Sequence, residues 1–126
     1  MKSARLYPQF PIPEKQAWCF YPMSKRRTTN ENWYTLPFER RQELMMEHGT
    51  SGRKFAGRLV QLITASTGLD EFEWGVTLFA TNPDDLKEVV YTMRYDEASA
   101  RYAEFGPFYT GMVASPDDVL TSVGVV

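Results

Sequence analysis

Apolar residues along this chain recur with two periods, and the order in which the periods alternate leaves few folds open. Ala17, Cys19, Tyr21 and Met23 alternate with Trp18 and Phe20, the period of two expected of a strand covered on both faces. Pro37 then opens a helical stretch expected to run to His48 and stop at Gly49, with Leu44, Met45 and His48 on one side. The strand period returns over 57–64, where Leu59, Gln61 and Ile63 face one way and Val60 and Leu62 the other. The turn Thr67-Gly68-Leu69-Asp70 leads into a third strand, Trp74 to Ala80. A second helix starts at Asn82, a good N-cap, with Pro83 at N1 and Asp84 and Asp85 at the positive end of the helix dipole. Its apolar stripe is Leu86, Val89, Val90 and Met93. A last strand is expected over 108–113.

The order strand, helix, strand, strand, helix, strand predicts an α+β fold. This is the ferredoxin-like β-α-β-β-α-β antiparallel sheet with both helices on one face. The opposite face then needs a cover: a ligand, a second domain or another subunit.

A length of 126 residues predicts one domain. Residues 1–15 carry Pro8, Pro11 and Pro13 and read as an extended arm or linker. Residues 16–114 read as the folded domain and 115–126 as a loosely held tail. The net charge of −2 hides a split: residues 1–58 carry about +6 and residues 59–126 about −8. The basic half suits an anionic partner. Nucleic acid is not expected, because the basic residues are not interleaved with aromatics in a binding motif. The single cysteine, Cys19, forms no internal disulfide and belongs to no zinc cluster, which fits a reducing, cytoplasmic setting. No stretch has the length of a transmembrane helix, and the N-terminus lacks a signal-peptide core.

Four places carry chemistry. His48 is the only histidine; alone it makes no zinc site, but one imidazole suffices as the axial ligand of a haem iron. Tyr21 lies four residues before Lys25-Arg26-Arg27, a cluster that suits a carboxylate or phosphate and equally reads as a solvated basic loop. Gln61 stands in an apolar row, so it either points at a bound small molecule or bonds a loop carbonyl. Residues 96–102 are polar and offer carboxylates either for acid–base work or for helix capping. No phosphate-cradling glycine loop is present.

Read together, several runs resemble a known family. Tyr21-Pro22-Met23-Ser24-Lys25-Arg26-Arg27 with Asn32-Trp33-Tyr34 resembles the catalytic segment of the coproheme decarboxylases, the haem-synthesis branch of the chlorite dismutase-like superfamily. Glu47-His48-Gly49 and Gly52-Arg53-Lys54-Phe55-Ala56-Gly57 resemble the proximal-histidine segment. Residues 73–80 and 93–102 match as well, so the resemblance covers roughly residues 17–113.

The resemblance implies peroxide-driven decarboxylation of two propionates of iron coproporphyrin III (coproheme) to give haem b through a tyrosyl radical. It implies His48 as proximal iron ligand, Tyr21 as the redox-active tyrosine and Lys25 as the group that holds the reacting propionate. It implies Gln61 as the distal polar residue, where chlorite dismutases carry an arginine, and Met23, Arg94 and Ser99 as further contacts. Family members carry two ferredoxin-like domains, and only the second, haem-holding one is matched. The alternative is therefore a haem-binding or peroxidase-like member without full turnover. Expected partners are the porphyrin, hydrogen peroxide, a homo-oligomer (the family is pentameric) or a separate first domain, and ferrochelatase.

Overall fold

The computed structural model describes residue 12 and residues 14–125. The expected arm over 1–15 therefore lies almost wholly outside the described residues. Among the described residues, five strands form one antiparallel sheet: β1 (Ala17–Lys25), β2 (Leu59–Ala65), β3 (Trp74–Ala80), β4 (Ala103–Phe105) and β5 (Tyr109–Met112). The order is β2-β3-β1-β4, with β5 pairing β1 further along the same edge. The helices are α1 (Phe38–Arg53), α2 (Pro83–Met93), α3 (Glu97–Ala100) and α4 (Pro116–Ser122). This is the ferredoxin-like arrangement that the alternating periods predict.

Register puts one row of side chains on each rung. Cys19 pairs with Leu78, which pairs with Gln61; Tyr21 pairs with Val76, which pairs with Ile63. Cross-strand partners share a face. Gln61 and Tyr21 thus project from the same side of the sheet, one same-face rung apart. On that side Ala17, Cys19, Tyr21, Val76, Leu78 and Ala80 form the core with Phe55 and with Leu86 and Val89 of α2. α2 rests on β1 and β3, whereas α1 packs mainly on α3 and α2. The reverse side carries Trp18, Phe20, Val60, Leu62 and Phe79, with Trp18 and Phe20 stacked at 6.5 Å.

One expectation is corrected, and two further elements are found. α1 does not stop at Gly49; it continues through Gly49 and Gly52 to Arg53, so His48 lies inside the helix. A helical glycine costs only about 1 kcal/mol, which packing on α2 and α3 offsets; the left-handed glycine that ends this segment is Gly57 (φ 83°). The last strand expected over 108–113 is found as β5, and an unexpected strand, β4, precedes it, set off by Gly106-Pro107. A Cβ at Gly106 would lie 2.6 Å from Cγ of Pro22 and 2.7 Å from Cζ of Phe72, so only glycine allows this approach. The tail contains α4, started by Ser115, whose side chain accepts the Asp118 N–H, with Pro116 in its first turn. Every described residue from 107 onward is exposed. Among the described residues, no helix is long and apolar enough to cross a membrane.

Candidate functional site

The imidazole of His48 points from α1 at α3. Its Nδ1 lies 3.0 Å from Oδ2 of Asp96, and Oγ of Ser99 is 3.4 Å from the same nitrogen. The Asp96 side chain is 1% exposed. Its Oδ1 accepts the Ser99 N–H at 3.0 Å and its Oδ2 accepts the Ser99 hydroxyl at 3.3 Å. Asp96 thus caps α3 and at the same time receives the His48 Nδ1–H. Among the described residues nothing bonds Nε2 of His48. A carboxylate behind one ring nitrogen fixes the tautomer and leaves the other as a metal ligand.

Tyr21 is buried on β1, stacked on Phe108 at 4.4 Å and edge-on to Phe105 at 5.7 Å. Burial, aided by Cys19 and opposed by Arg94, pushes its phenol up to about 12. It therefore remains un-ionised near neutral pH. No hydrogen bond engages its hydroxyl among the described residues. Arg94, at the C-terminal end of α2, lies over Phe105 at 5.1 Å and over Phe108 at 5.8 Å. Its cation is stacked on the aromatic group that packs Tyr21.

Lys25 ends β1. Its Nζ donates to the Ala98 carbonyl at 3.2 Å and sits 4.4 Å over the Trp33 ring. Burial pushes its ammonium down, while Asp96 and Glu73 push it back up. The Lys25 backbone N–H donates to Oε2 of Glu73 at 2.7 Å, and the Tyr34 hydroxyl donates to Oε1 at 2.7 Å. Met23 is half-buried against the core, and its carbonyl accepts the Glu73 N–H at 3.2 Å. Gln61 is half-buried, and the alternative of a loop-carbonyl partner finds no such bond among the described residues.

The structure thus brings His48, Ser99 and Lys25 together around α3, and Tyr21 and Arg94 together around Phe105 and Phe108. Arg101 pairs with Glu31 and Glu97. Arg27 is exposed, and Arg26 pairs with Glu104 at 3.5 Å. Sequence reasoning missed Asp96 as the partner of His48 and missed Glu73 altogether. The Asp96-x-x-Ser99 capping spacing marks the first residue locally, but nothing local ties it to a histidine 48 positions away.

Two open clefts border the site. A polar one of about 560 Å³ reaches Lys25 and is lined also by Ser24, Arg27, Thr28, Glu71 and Glu104. A more apolar one of about 670 Å³ runs between α2 and β5, past Cys19, Leu86, Val90, Arg94, Phe108 and Met112. His48, Tyr21 and Gln61 line neither.

Among the described residues no three His, Cys, Asp or Glu side chains cluster as a metal site. One anchored imidazole fits an iron that arrives with its other ligands, as in a porphyrin. The unbonded Gln61 amide on the tyrosine face and the cations at Lys25 and Arg94 suit a flat ligand with carboxylate arms.

A chlorite dismutase profile matches residues 2–114. The coproheme decarboxylase of Staphylococcus saprophyticus is 53% identical over 115 residues, which are 91% of this chain and 45% of that protein. That of Staphylococcus carnosus is 53% identical over 118 residues, 94% of this chain and 46% of that protein. A solved haem-binding protein from Thermus thermophilus superposes with a TM-score of 0.84 at 47% identity, covering 90% of this chain and 46% of that one. Chlorite dismutase from Candidatus Nitrospira defluvii shares the fold at a TM-score of 0.74 and 21% identity, over 86% of this chain and 44% of its own. The chain spans about half the length of the curated relatives it matches.

Proposed function

This chain belongs to the chlorite dismutase family, and we propose that it is the haem-site half of a coproheme decarboxylase. In this reading it converts two propionates of iron coproporphyrin III to vinyl groups, yielding haem b, with hydrogen peroxide as oxidant. Each arm balances as propionate, one peroxide and one proton giving vinyl, carbon dioxide and two waters. The observation that carries the reading is the 3.0 Å contact between Nδ1 of His48 and buried Asp96, which prepares Nε2 to bind iron.

When bound, the iron porphyrin supplies the oxidising equivalents drawn from peroxide. The chain's own groups do the rest. Tyr21, buried and un-ionised, gives up an electron and its proton, and its radical then takes a hydrogen atom from the arm. Lys25 holds the reacting carboxylate and Arg94 another; carboxylates are costly to bury without such partners. Gln61 faces the ligand from the sheet. Ser99 acts here with Asp96 on the imidazole. Homo-oligomerisation, a contact with ferrochelatase and a cytoplasmic setting with Cys19 reduced belong to the same reading. So does coverage of the reverse sheet face by a second ferredoxin-like half.

A second reading is a haem-binding module without turnover, favoured by the 47% identity to the haem-binding protein of Thermus thermophilus. Titration with iron coproporphyrin III, then peroxide and mass analysis of the porphyrin, separates the two. Stepwise loss of two carboxyl groups supports the enzyme. A Soret shift without mass loss supports the module. No Soret shift refutes both.

A further inference from the structure

Glu73 is buried, 6% exposed, directly before β3. A buried carboxylate is costly unless its oxygens are bonded. Both are engaged: Oε2 by the Lys25 backbone N–H and Oε1 by the Tyr34 hydroxyl, each at 2.7 Å. The Glu73 backbone N–H donates to the Met23 carbonyl and to the Ser24 hydroxyl, both at 3.2 Å. One residue therefore ties down three consecutive residues of β1, just past Tyr21. The loop that follows Lys25 is held through Tyr34. A core carboxylate at this exit does little for packing that an apolar residue of similar size would not do. It differs from such a residue in carrying charge beside Lys25.

We propose that Glu73 is a positioning residue for Lys25, fixing the backbone from which the ammonium reaches out to receive a carboxylate arm. This rests on the decarboxylase reading only for the identity of the arm. The groups that face Lys25 are Glu73 from the start of β3, Asp96 and the Ala98 carbonyl from α3, and the Trp33 ring. Arg27, Glu71 and Glu104 share its polar cleft. Glu73 and Asp96 both oppose the downward push of burial on the ammonium. Removing the Glu73 charge must let Lys25 lose its proton at lower pH.

The test uses the whole chain with Glu73→Gln, Lys25→Met and their double variant. NMR follows the Lys25 amide proton and the Lys25 side-chain titration, and Soret titration follows iron coproporphyrin III. In the wild type the Lys25 amide proton should resonate well downfield, as in a short bond to a carboxylate. In Glu73→Gln it should move upfield, and Lys25 should titrate lower. Porphyrin binding should weaken about tenfold, the scale of one charge-assisted hydrogen bond. The same change added to Lys25→Met should cost nothing further, because it acts through Lys25. Independent, additive losses, or an unmoved Lys25 amide and titration, overturn the proposal. If Glu73→Gln does not fold, the wild type decides: a Lys25 amide proton well downfield, as in a short bond to a carboxylate, supports the proposal and one at an ordinary shift overturns it. If the wild type binds no porphyrin, the decarboxylase reading fails, while the NMR arms still decide whether Glu73 governs Lys25.

Discussion

Asp96 and His48 lie 48 positions apart in sequence and 3.0 Å apart in space. The carboxylate belongs to the N-cap of a one-turn helix, and the imidazole to the interior of a helix of 16 residues. The imidazole and the carboxylate that orients it are thus held by separate elements that pack on each other.

Asp96→Asn should keep the α3 cap, since asparagine also caps, but offer Nδ1 a poorer acceptor. Binding of iron coproporphyrin III should weaken roughly 10–100-fold, the range for lost partners of metal-bound histidines. Soret titration measures it. An unchanged affinity would mean the carboxylate does not support ligation.

His48→Ala should abolish the Soret change of imidazole ligation. The ring is part-exposed and outside the core cluster, so stability should move by no more than about 1 kcal/mol. Absorbance and a denaturant melt check the two halves of this statement.

Tyr21→Phe should bind porphyrin within about twofold of the wild type, because the stack on Phe108 needs only the ring. Decarboxylation should stop. Retained activity by mass analysis would remove Tyr21 from the chemistry.

Tyr21 also sets an alkaline limit. Its phenol is raised to about 12 in the folded state against an ordinary value near 10. A raised value stabilises fully below pH 10 and is lost as pH rises from 10 towards 12, where the unfolded chain has already released its proton. The loss should approach about 2–3 kcal/mol. Melts of the wild type and Tyr21→Phe should separate between pH 9 and 12, with the wild type losing more.

Gly106→Ala should destabilise by about 1–3 kcal/mol, because the added methyl overlaps Pro22 and Phe72. Gly111→Ala, where a Cβ meets nothing within 4 Å, should stay within about 0.5 kcal/mol. Equal melts for the two variants would show that the strand break tolerates a side chain.

The elements that sequence made most legible are those whose signals are local. Trp74–Ala80 and Pro83–Met93 fall where period and proline put them, with Asn82 in the N-cap position although its side chain makes no cap bond. Gly49 misled, since a glycine ends a helix only when the backbone turns left-handed, and tertiary packing decided that it does not. β4 was not expected, and its separation from β5 turns on contacts of Gly106 with Pro22 and Phe72, distant in the chain. His48, Tyr21, Lys25 and Gln61 stood out by residue type and by resemblance. Asp96 and Glu73 did not, because their roles exist only once α3 meets α1 and β3 meets β1.

One turn of helix carries both ends of this arrangement. The Ala98 carbonyl of α3 holds the Lys25 ammonium, and Asp96 and Ser99 at its start and middle hold the His48 ring. Asp96, Ala98 and Ser99 act as a caliper: they set how far the His48 imidazole stands from the Lys25 cation. One jaw reaches back to α1 and the other to the end of β1, so a tilt of α3 moves both contacts together and couples the helix layer to the edge of the sheet.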